Sequence, residues 1–268
     1  MLYAPAPRRL AIATRALLIA ALAATFFAAP TSAATTASQA ESMIVGWVNA
    51  ARVDRGLVPL RYYSQLSSIS GLRASRMASA NVLSHTVAGS LSSQLSAYGV
   101  RWYAYGEDIA YTTATWTVDA AKAIFRSWMN SSAHRAMLMS SKFNYIGVGL
   151  AYRSSNHRTF GSAVMAETLD HTRPTARVRS ATRSGDDAMW TWSGYDLRLQ
   201  THTAGLRDYD VQYRVGSGTW RLLRDNTSST SITLANRPGG RTYSIRVRAT
   251  DRRGNVGAWS SASRIWIP

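Results

Sequence analysis

Gly106-Glu107-Asp108-Ile109-Ala110 stands between two histidine blocks, Leu83-Ser84-His85-Thr86 and Ser132-Ala133-His134-Arg135, and Ile146-Gly147-Val148-Gly149 follows the second. Two imidazoles and a carboxylate are the parts of an open metal site or of an acid–base site. Far apart in the chain, His85, Glu107 and His134 serve one site only if the fold gathers them. Upstream, Asn49-Ala50-Ala51-Arg52 and Gly56-Leu57-Val58-Pro59-Leu60 complete the series. Each residue also has a plain structural reading. His85 suits a helix end, where imidazole meets the last carbonyls. Glu107 suits a turn whose amides it binds, and His134 suits capping or packing in its own short helix. Singly, those readings lead; the order and spacing of the blocks favour a shared site.

The pattern around the blocks is mixed helix and strand. Ile44, Trp47, Val48 and Ala51 recur at helical spacing and predict a helix from Glu41 to about Arg55. Gly56 ends it and Pro59 prevents its resumption. A second helix is expected over Ser64 to Asn81, capped by Ser64, with Leu66, Ile69 and Met77 inward. A short third helix spans Leu91–Tyr98 and stops at Gly99. Arg101–Tyr111 reads as extended around Glu107. Thr117 is placed to cap a fourth helix to about Asn130, with Val118, Ala121, Ile124, Phe125 and Trp128 inside. Tyr145–Tyr152 and Thr159–Thr168 read as strands joined by a hairpin loop.

Over roughly residues 41–170 this series of blocks resembles the CAP superfamily (cysteine-rich secretory proteins, antigen 5 and pathogenesis-related proteins; the SCP domain) in its small bacterial secreted form. The resemblance implies an α-β-α sandwich with a central cleft. His85 and His134 look like the two cleft histidines, and Glu107 like the glutamate of the family's Gly-Glu-Asn block, here followed by Asp108. Many eukaryotic members add a second cleft glutamate where this chain has Ser131. The constellation is thereby reduced to three residues, which weakens chemistry by a carboxylate pair. Two neutral imidazoles with a carboxylate or waters can hold Zn²⁺ with an open position, and such an ion lowers the pKa of a bound water. Without a fixed third ligand the metal binds more weakly. Ser84 and Ser132 adjoin the histidines, but neither lies in a Gly-x-Ser-x-Gly elbow. Trp102, Tyr103, Tyr105, Tyr111 and Trp116 surround Glu107 and suit an apolar groove. That fits the sterol, lipid and partner binding linked to the family. His157 and His171 read as solvated, His202 resembles no site, and Glu167 is a cleft neighbour outside the set.

Beyond Arg173-Pro174 the spacing changes to alternation. Met189, Trp190 and Trp192 share one strand; Tyr209, Val211 and Tyr213 alternate in another, as do Ile232 with Leu234, and Tyr243, Ile245 and Val247. Gly216-Ser217-Gly218, Pro238-Gly239-Gly240 and Gly254-Asn255 mark turns, and the whole predicts a β-sandwich. Ala204-Gly205-Leu206-Arg207-Asp208-Tyr209-Asp210-Val211, Gly240-Arg241-Thr242-Tyr243 and Arg246-Val247-Arg248-Ala249-Thr250-Asp251 resemble bacterial fibronectin type III-like modules. That resemblance makes Tyr243 the buried tyrosine beside a strand corner. Trp190, Trp192, Trp220 and Trp259 could form a carbohydrate platform, but core packing suits most of them better. The expected class is therefore α+β, a CAP sandwich at 41–170 followed by an all-β fibronectin type III-like sandwich at 173–268.

Residues 1–33 read as a secretory signal peptide: Arg8, Arg9 and Arg15, an apolar run from Ala16 to Ala29, and Thr31-Ser32-Ala33 at the exit. The run is shorter than the ~20 residues of a spanning helix, so no transmembrane segment is expected after cleavage. There is no cysteine, so the exported chain depends on its cores, which suits a bacterial product. The 268 residues carry a formal charge of +17. Residues 34–172 hold 12 basic and 7 acidic side chains, net +5, and residues 173–268 hold 16 and 7, net +9. Such a chain is drawn to anionic wall polymers or lipid surfaces; no nucleic-acid motif accompanies the charge, so no specific nucleic acid is expected. The expectation is a secreted or cell-envelope CAP-domain protein whose cleft holds a divalent metal, Zn²⁺, through His85, His134 and Glu107. Whether it is an enzyme stays open. The alternatives are a non-enzymatic lipid-, sterol- or envelope-polymer-binding protein and a metal-dependent hydrolase.

Overall fold

The computed structural model describes residues 36–114 and 118–268; the signal-peptide expectation, the Thr117 cap and Trp116 lie outside them. Helix α1 (Ala37–Val53) starts four residues before the expected Glu41, because Thr36 and Gln39 form a reciprocal capping box. At its other end Gly56 takes φ +71° and the Leu57 amide returns to the Arg52 carbonyl at 3.0 Å. β1 (Arg61–Tyr62) leads into α2 (Ser64–Ala80). Ser64 is the first helical residue and not the cap; that place falls to Tyr63, which makes no side-chain cap bond. α2 ends in the left-handed Asn81 and turns Leu66, Ile69, Ser70, Arg73, Ala74 and Met77 inward. α3 (Leu91–Ala97), β2 (Ala104–Thr112), α4 (Val118–Asn130), α5 (Ser132–Leu138), β3 (Tyr145–Arg153) and β4 (Arg158–Glu167) complete this half.

The first sheet has the order β1-β3-β4-β2, which leaves β2 as an outer strand. Strand alternation divides its two faces. Glu107, Ile109, Ser162, Val164, Gly147 and Gly149 face α2. Gly106, Asp108, Ala110, Met165 and Ile146 face α1, α4 and α5. The Gly147-Val148-Gly149 run has a steric cause. A Cβ on Gly147 would stand 2.1 Å from the Ser67 amide nitrogen, and one on Gly149 would stand 2.1 Å from that of Gly71. α2 therefore rests directly on the β3 backbone. The helix hydroxyls complete the contact, Ser70 Oγ donating to the Gly147 carbonyl at 2.9 Å and Ser67 Oγ to that of Val148 at 3.0 Å. On the opposite face Ile44, Val48, Ile124, Trp128, Leu138 and Met165 share one core. The result is an α-β-α sandwich.

The second half is all strand: β5 (Thr175–Ser184), β6 (Asp187–Tyr195), β7 (Leu206–Val215), β8 (Arg221–Thr227), β9 (Ser231–Leu234), β10 (Arg241–Asp251) and β11 (Ser263–Ile267). Sheets β5-β6-β9 and β11-β10-β7-β8 close on a single core containing Trp190, Trp192, Ile232, Val211, Ile245 and Val247. This is a fibronectin type III-like sandwich. Tyr243 is buried and donates its hydroxyl to the Pro238 carbonyl at 3.0 Å. Trp220 and Trp259 interleave with Arg214, Arg246 and Arg248 in a ladder at 4.6 to 4.9 Å.

Candidate functional site

Glu107 lies on β2 with its side chain only 4% exposed. A buried carboxylate needs partners, and four donors meet it. Arg73, from the inward stripe of α2, spans it with two bonds: Nε to Oε1, and Nη2 to Oε2 at 2.8 Å. Ser162 Oγ donates to Oε1 at 2.8 Å, and His85 Nδ1 pairs with Oε2 at 2.8 Å. Arg73 is itself 2% exposed, and the rest of its guanidinium fixes the His85 loop. It donates to the carbonyls of His85 and Gly89 and to Gln94 Oε1. One buried bidentate ion pair thus sets both the carboxylate and the backbone that carries the histidine.

Nδ1 of His85 faces a carboxylate oxygen, which accepts, so Nδ1 is the donor of this bond, on a side chain 55% exposed. A carboxylate behind an imidazole in this way is the usual support of a metal-binding histidine. Glu107 itself, with both oxygens occupied, is a positioning residue for His85.

His134 belongs to the other face. α5 packs on β2 through Met137, whose sulfur fills the space over Gly106, where a Cβ would stand 2.4 Å from it. Arg52, fully buried in α1, holds the end of α5 by donating to the carbonyls of Leu138 and Ser140 at 2.8 and 2.9 Å. Burial holds its guanidinium down to about 10. His134, one turn before Met137, has a buried Nδ1 with no hydrogen-bond partner.

The structure therefore joins His85 to Glu107 and leaves His134 on a helix across the outer strand. Among the described residues no hydrogen bond or ion pair links His134 to either. Among the described residues, the single set of three imidazoles or carboxylates with ligand atoms within 4.8 Å of one another is Asp170, Asp196 and Asp251. His85, Glu107 and His134 do not form such a set among the described residues. The hydroxyls beside the histidines do not contact them: Ser84 Oγ pairs with Thr86, and Ser132 makes no bond to an imidazole among the described residues. Glu167 pairs with His202 at 3.1 Å. His171 stacks on Tyr63 at 5.0 Å, and His157 bonds the Tyr152 hydroxyl at 2.8 Å.

Asp108 points to the α5 side. Burial, and then the adjacent Glu107 charge, push its carboxyl up to about 8, and its Oδ2 has no partner. Trp102, Tyr103 and Tyr105 are 38 to 60% exposed near the start of β2, Trp102 edge-on to Tyr105 and Tyr103 stacked on His202. Arg73 and Ser162 were not among the residues expected from sequence. Arg73 had a signal: it is a charge placed within the apolar i, i+3, i+4 stripe of α2.

Residues 45–165 match the family model described as the cysteine-rich secretory protein family, CAP. Among curated proteins the chain is similar to the uncharacterized protein YkwD of Bacillus subtilis (strain 168), 31% identical over 121 residues, 44% of this chain and 45% of that protein. It is also 31% identical over 112 residues to the uncharacterized membrane protein YlbC of the same organism, covering 41% of this chain and 31% of that one. The chain thus spans less than half the length of the curated relatives it matches. An extracellular protein containing an SCP domain from Bacillus anthracis str. Ames superposes with a TM-score of 0.43 at 22% identity, covering 49% of this chain and 41% of the other. No described helix is long and apolar enough to cross a membrane. Residues 45–165 of this chain are a CAP domain of the cysteine-rich secretory protein family.

Proposed function

We propose that the CAP domain captures a divalent metal, Zn²⁺, at the outer edge of β2, in a secreted or envelope-associated protein. His85 Nε2 and His134 supply the protein nitrogens and Glu107 acts from behind His85. The observation that carries this reading is the 2.8 Å bond between His85 Nδ1 and a Glu107 carboxylate locked by Arg73. It selects the tautomer a metal needs and prepays part of the ordering of the ring. The orphaned Nδ1 of His134 is a second nitrogen donor of the right chemistry. Two histidines bind with modest affinity and leave positions for water or substrate, where the ion would act as a Lewis acid.

Calorimetric titration of the full chain with Zn²⁺, beside His85→Ala and His134→Ala checked by circular dichroism, tests it. One site lost in both folded variants supports the proposal and justifies a hydrolase screen. Heat that is indifferent to both substitutions overturns it.

A second reading, non-enzymatic binding of lipid, sterol or an anionic envelope polymer, is favoured by the exposed Trp102, Tyr103 and Tyr105 and by the net +9 of residues 173–268. Under that reading, binding to anionic vesicles or wall polymer survives His85→Ala and weakens with salt.

A further inference from the structure

Away from the CAP cleft, three carboxylates meet where the two halves of the chain join. Asp170 follows β4, Asp196 follows β6, and Asp251 ends β10. Their exposures are 3, 9 and 0%, and one oxygen of each lies within 4.8 Å of the other two. Among the described residues none of them forms an ion pair with an arginine, lysine or histidine. Three negative charges in one desolvated place, with no ion-paired cation among the described residues and the exposed Arg207 near enough for its charge to act on Asp251, is a costly arrangement for side chains alone.

Hydrogen bonds account for part of the arrangement. Asp170 accepts from the amides of Thr172 at 2.8 Å and Ala204 at 2.9 Å, and also from the Thr172 hydroxyl. Asp251 accepts from the amides of Arg253 and Asn255 at 2.8 and 2.9 Å and from the Asn255 side chain at 2.7 Å. Asp196 Oδ2 accepts from the Gly205 amide at 2.6 Å. These bonds hold three different loops in register. They leave Asp196 Oδ1 without any partner although it is buried, and a buried carboxylate oxygen that receives no donor is the observation the hydrogen bonds do not explain.

We propose that Asp170, Asp196 and Asp251 form a Ca²⁺ site that ties the segment after β4 to two loops of the fibronectin type III-like module. An all-oxygen, triply anionic donor set suits a hard divalent cation and not Zn²⁺. The loops are irregular and the carboxylates retain unused lone pairs, which suits the flexible, higher-coordinate shell of Ca²⁺ better than the strict octahedron of Mg²⁺. Burial and the charges of Asp170 and Asp251 hold the Asp196 carboxyl above its ordinary range, in keeping with an oxygen lacking its positive partner. The site is independent of His85 and His134.

The test is calorimetric titration and thermal unfolding of the full chain, stripped with EDTA and dialysed free of it, with CaCl₂ and with MgCl₂. We expect one Ca²⁺ per chain, weaker Mg²⁺ binding and a melting temperature raised by saturating Ca²⁺. Asp196→Asn should lower affinity by at least about tenfold and abolish the Ca²⁺ shift. In EDTA it should fold as well as the parent, since it relieves like-charge repulsion. His85→Ala should leave both readouts unchanged. A second readout needs no variant: Tb³⁺ emission sensitised by the protein and displaced by Ca²⁺. Absence of Ca²⁺-competed emission together with a melting temperature indifferent to Ca²⁺ overturns the proposal. So does Ca²⁺ binding that a folded Asp196→Asn variant retains at full strength.

Discussion

Glu107 is more informative in its partners than in its own chemistry. Arg73 is buried on it, so Glu107→Gln strands a guanidinium that water cannot reach. Breaking a buried pair from one side costs about 3–5 kcal/mol. Urea unfolding of Glu107→Gln should show a loss of that order, whereas Ser162→Ala, which removes one neutral donor, should lose about 1 kcal/mol. Equal, small losses for the two would mean that Arg73 finds other support. Asp108 makes a prediction in pH. Its carboxyl sits at about 8 in the folded chain, for burial first and Glu107 second, against 3.8 when unfolded. Between those values the folded state holds a proton that the unfolded state has lost, so stability falls as pH rises from about 4 to about 8. Asp108→Asn, which keeps the shape and removes the charge, should gain on the parent through that window, by a few kcal/mol at its upper end at ~1.4 kcal/mol per unit. Melting curves from pH 5 to 9 check it; parallel curves would refute the assignment. At this scale the sequence told the blocks apart but not their geometry. His85, Glu107 and His134 stand out by type and order. The layer each occupies depends on strand register, which no single residue carries, and Arg73 is spoken for only once α2 meets β2.

Among the elements, α2 and β3 were legible and their contact was not. Leu66, Ile69 and Met77 mark the helix by spacing, and Tyr145–Tyr152 marks the strand by length and composition. The reason for two glycines in Ile146-Gly147-Val148-Gly149 appears only when helix backbone lies on strand backbone. Gly147→Ala places a methyl 2.1 Å from the Ser67 nitrogen, and neither backbone can yield without moving the other. We expect a loss of at least ~3 kcal/mol, at or beyond the upper end of ordinary overpacking, seen as a lower urea midpoint or failure to fold. Gly46→Ala on α1, where an added Cβ meets nothing within 4 Å, should be neutral or slightly stabilising. A tolerant Gly147→Ala would show that α2 can lift from the sheet. Elements that carry no apolar period stayed hidden. β5, mostly exposed and built from Thr-Ala-Arg-Val-Arg-Ser-Ala-Thr-Arg-Ser, offers alternation of charge and small residues, which polar loops also show. The first turn of α1 is likewise written in alanine and serine and shows only through its Thr36 cap.

The two halves of the chain look separable in sequence, where helical spacing yields to alternation near Arg173-Pro174, yet the folded halves share a core. Leu199, in the loop after β6, is 2% exposed and packs with Leu66, Ile69, Leu95, Tyr145, Val164 and Ala166 of the CAP domain. Around it the Val58 amide donates to Gln200 Oε1 at 2.8 Å, Arg61 to the Arg198 carbonyl at 3.0 Å, and Asn144 to that of Thr201 at 3.1 Å. A lone leucine in a loop has no period to announce it, which is why this seam was not readable before the structure. Its consequence is cooperative unfolding. Leu199→Ala removes buried apolar volume from a packed site and should cost about 2–5 kcal/mol. Because the lost contacts are those that couple the halves, the cost should fall on the coupling. The parent should unfold in one calorimetric transition, with matching calorimetric and van't Hoff enthalpies. Leu199→Ala should split or broaden it, while Ile245→Ala, inside the fibronectin type III-like core, should lower stability without releasing the CAP domain from its neighbour's loop. One undivided transition in the Leu199 variant, merely shifted, would mean that the hydrogen bonds of the seam couple the halves without the leucine.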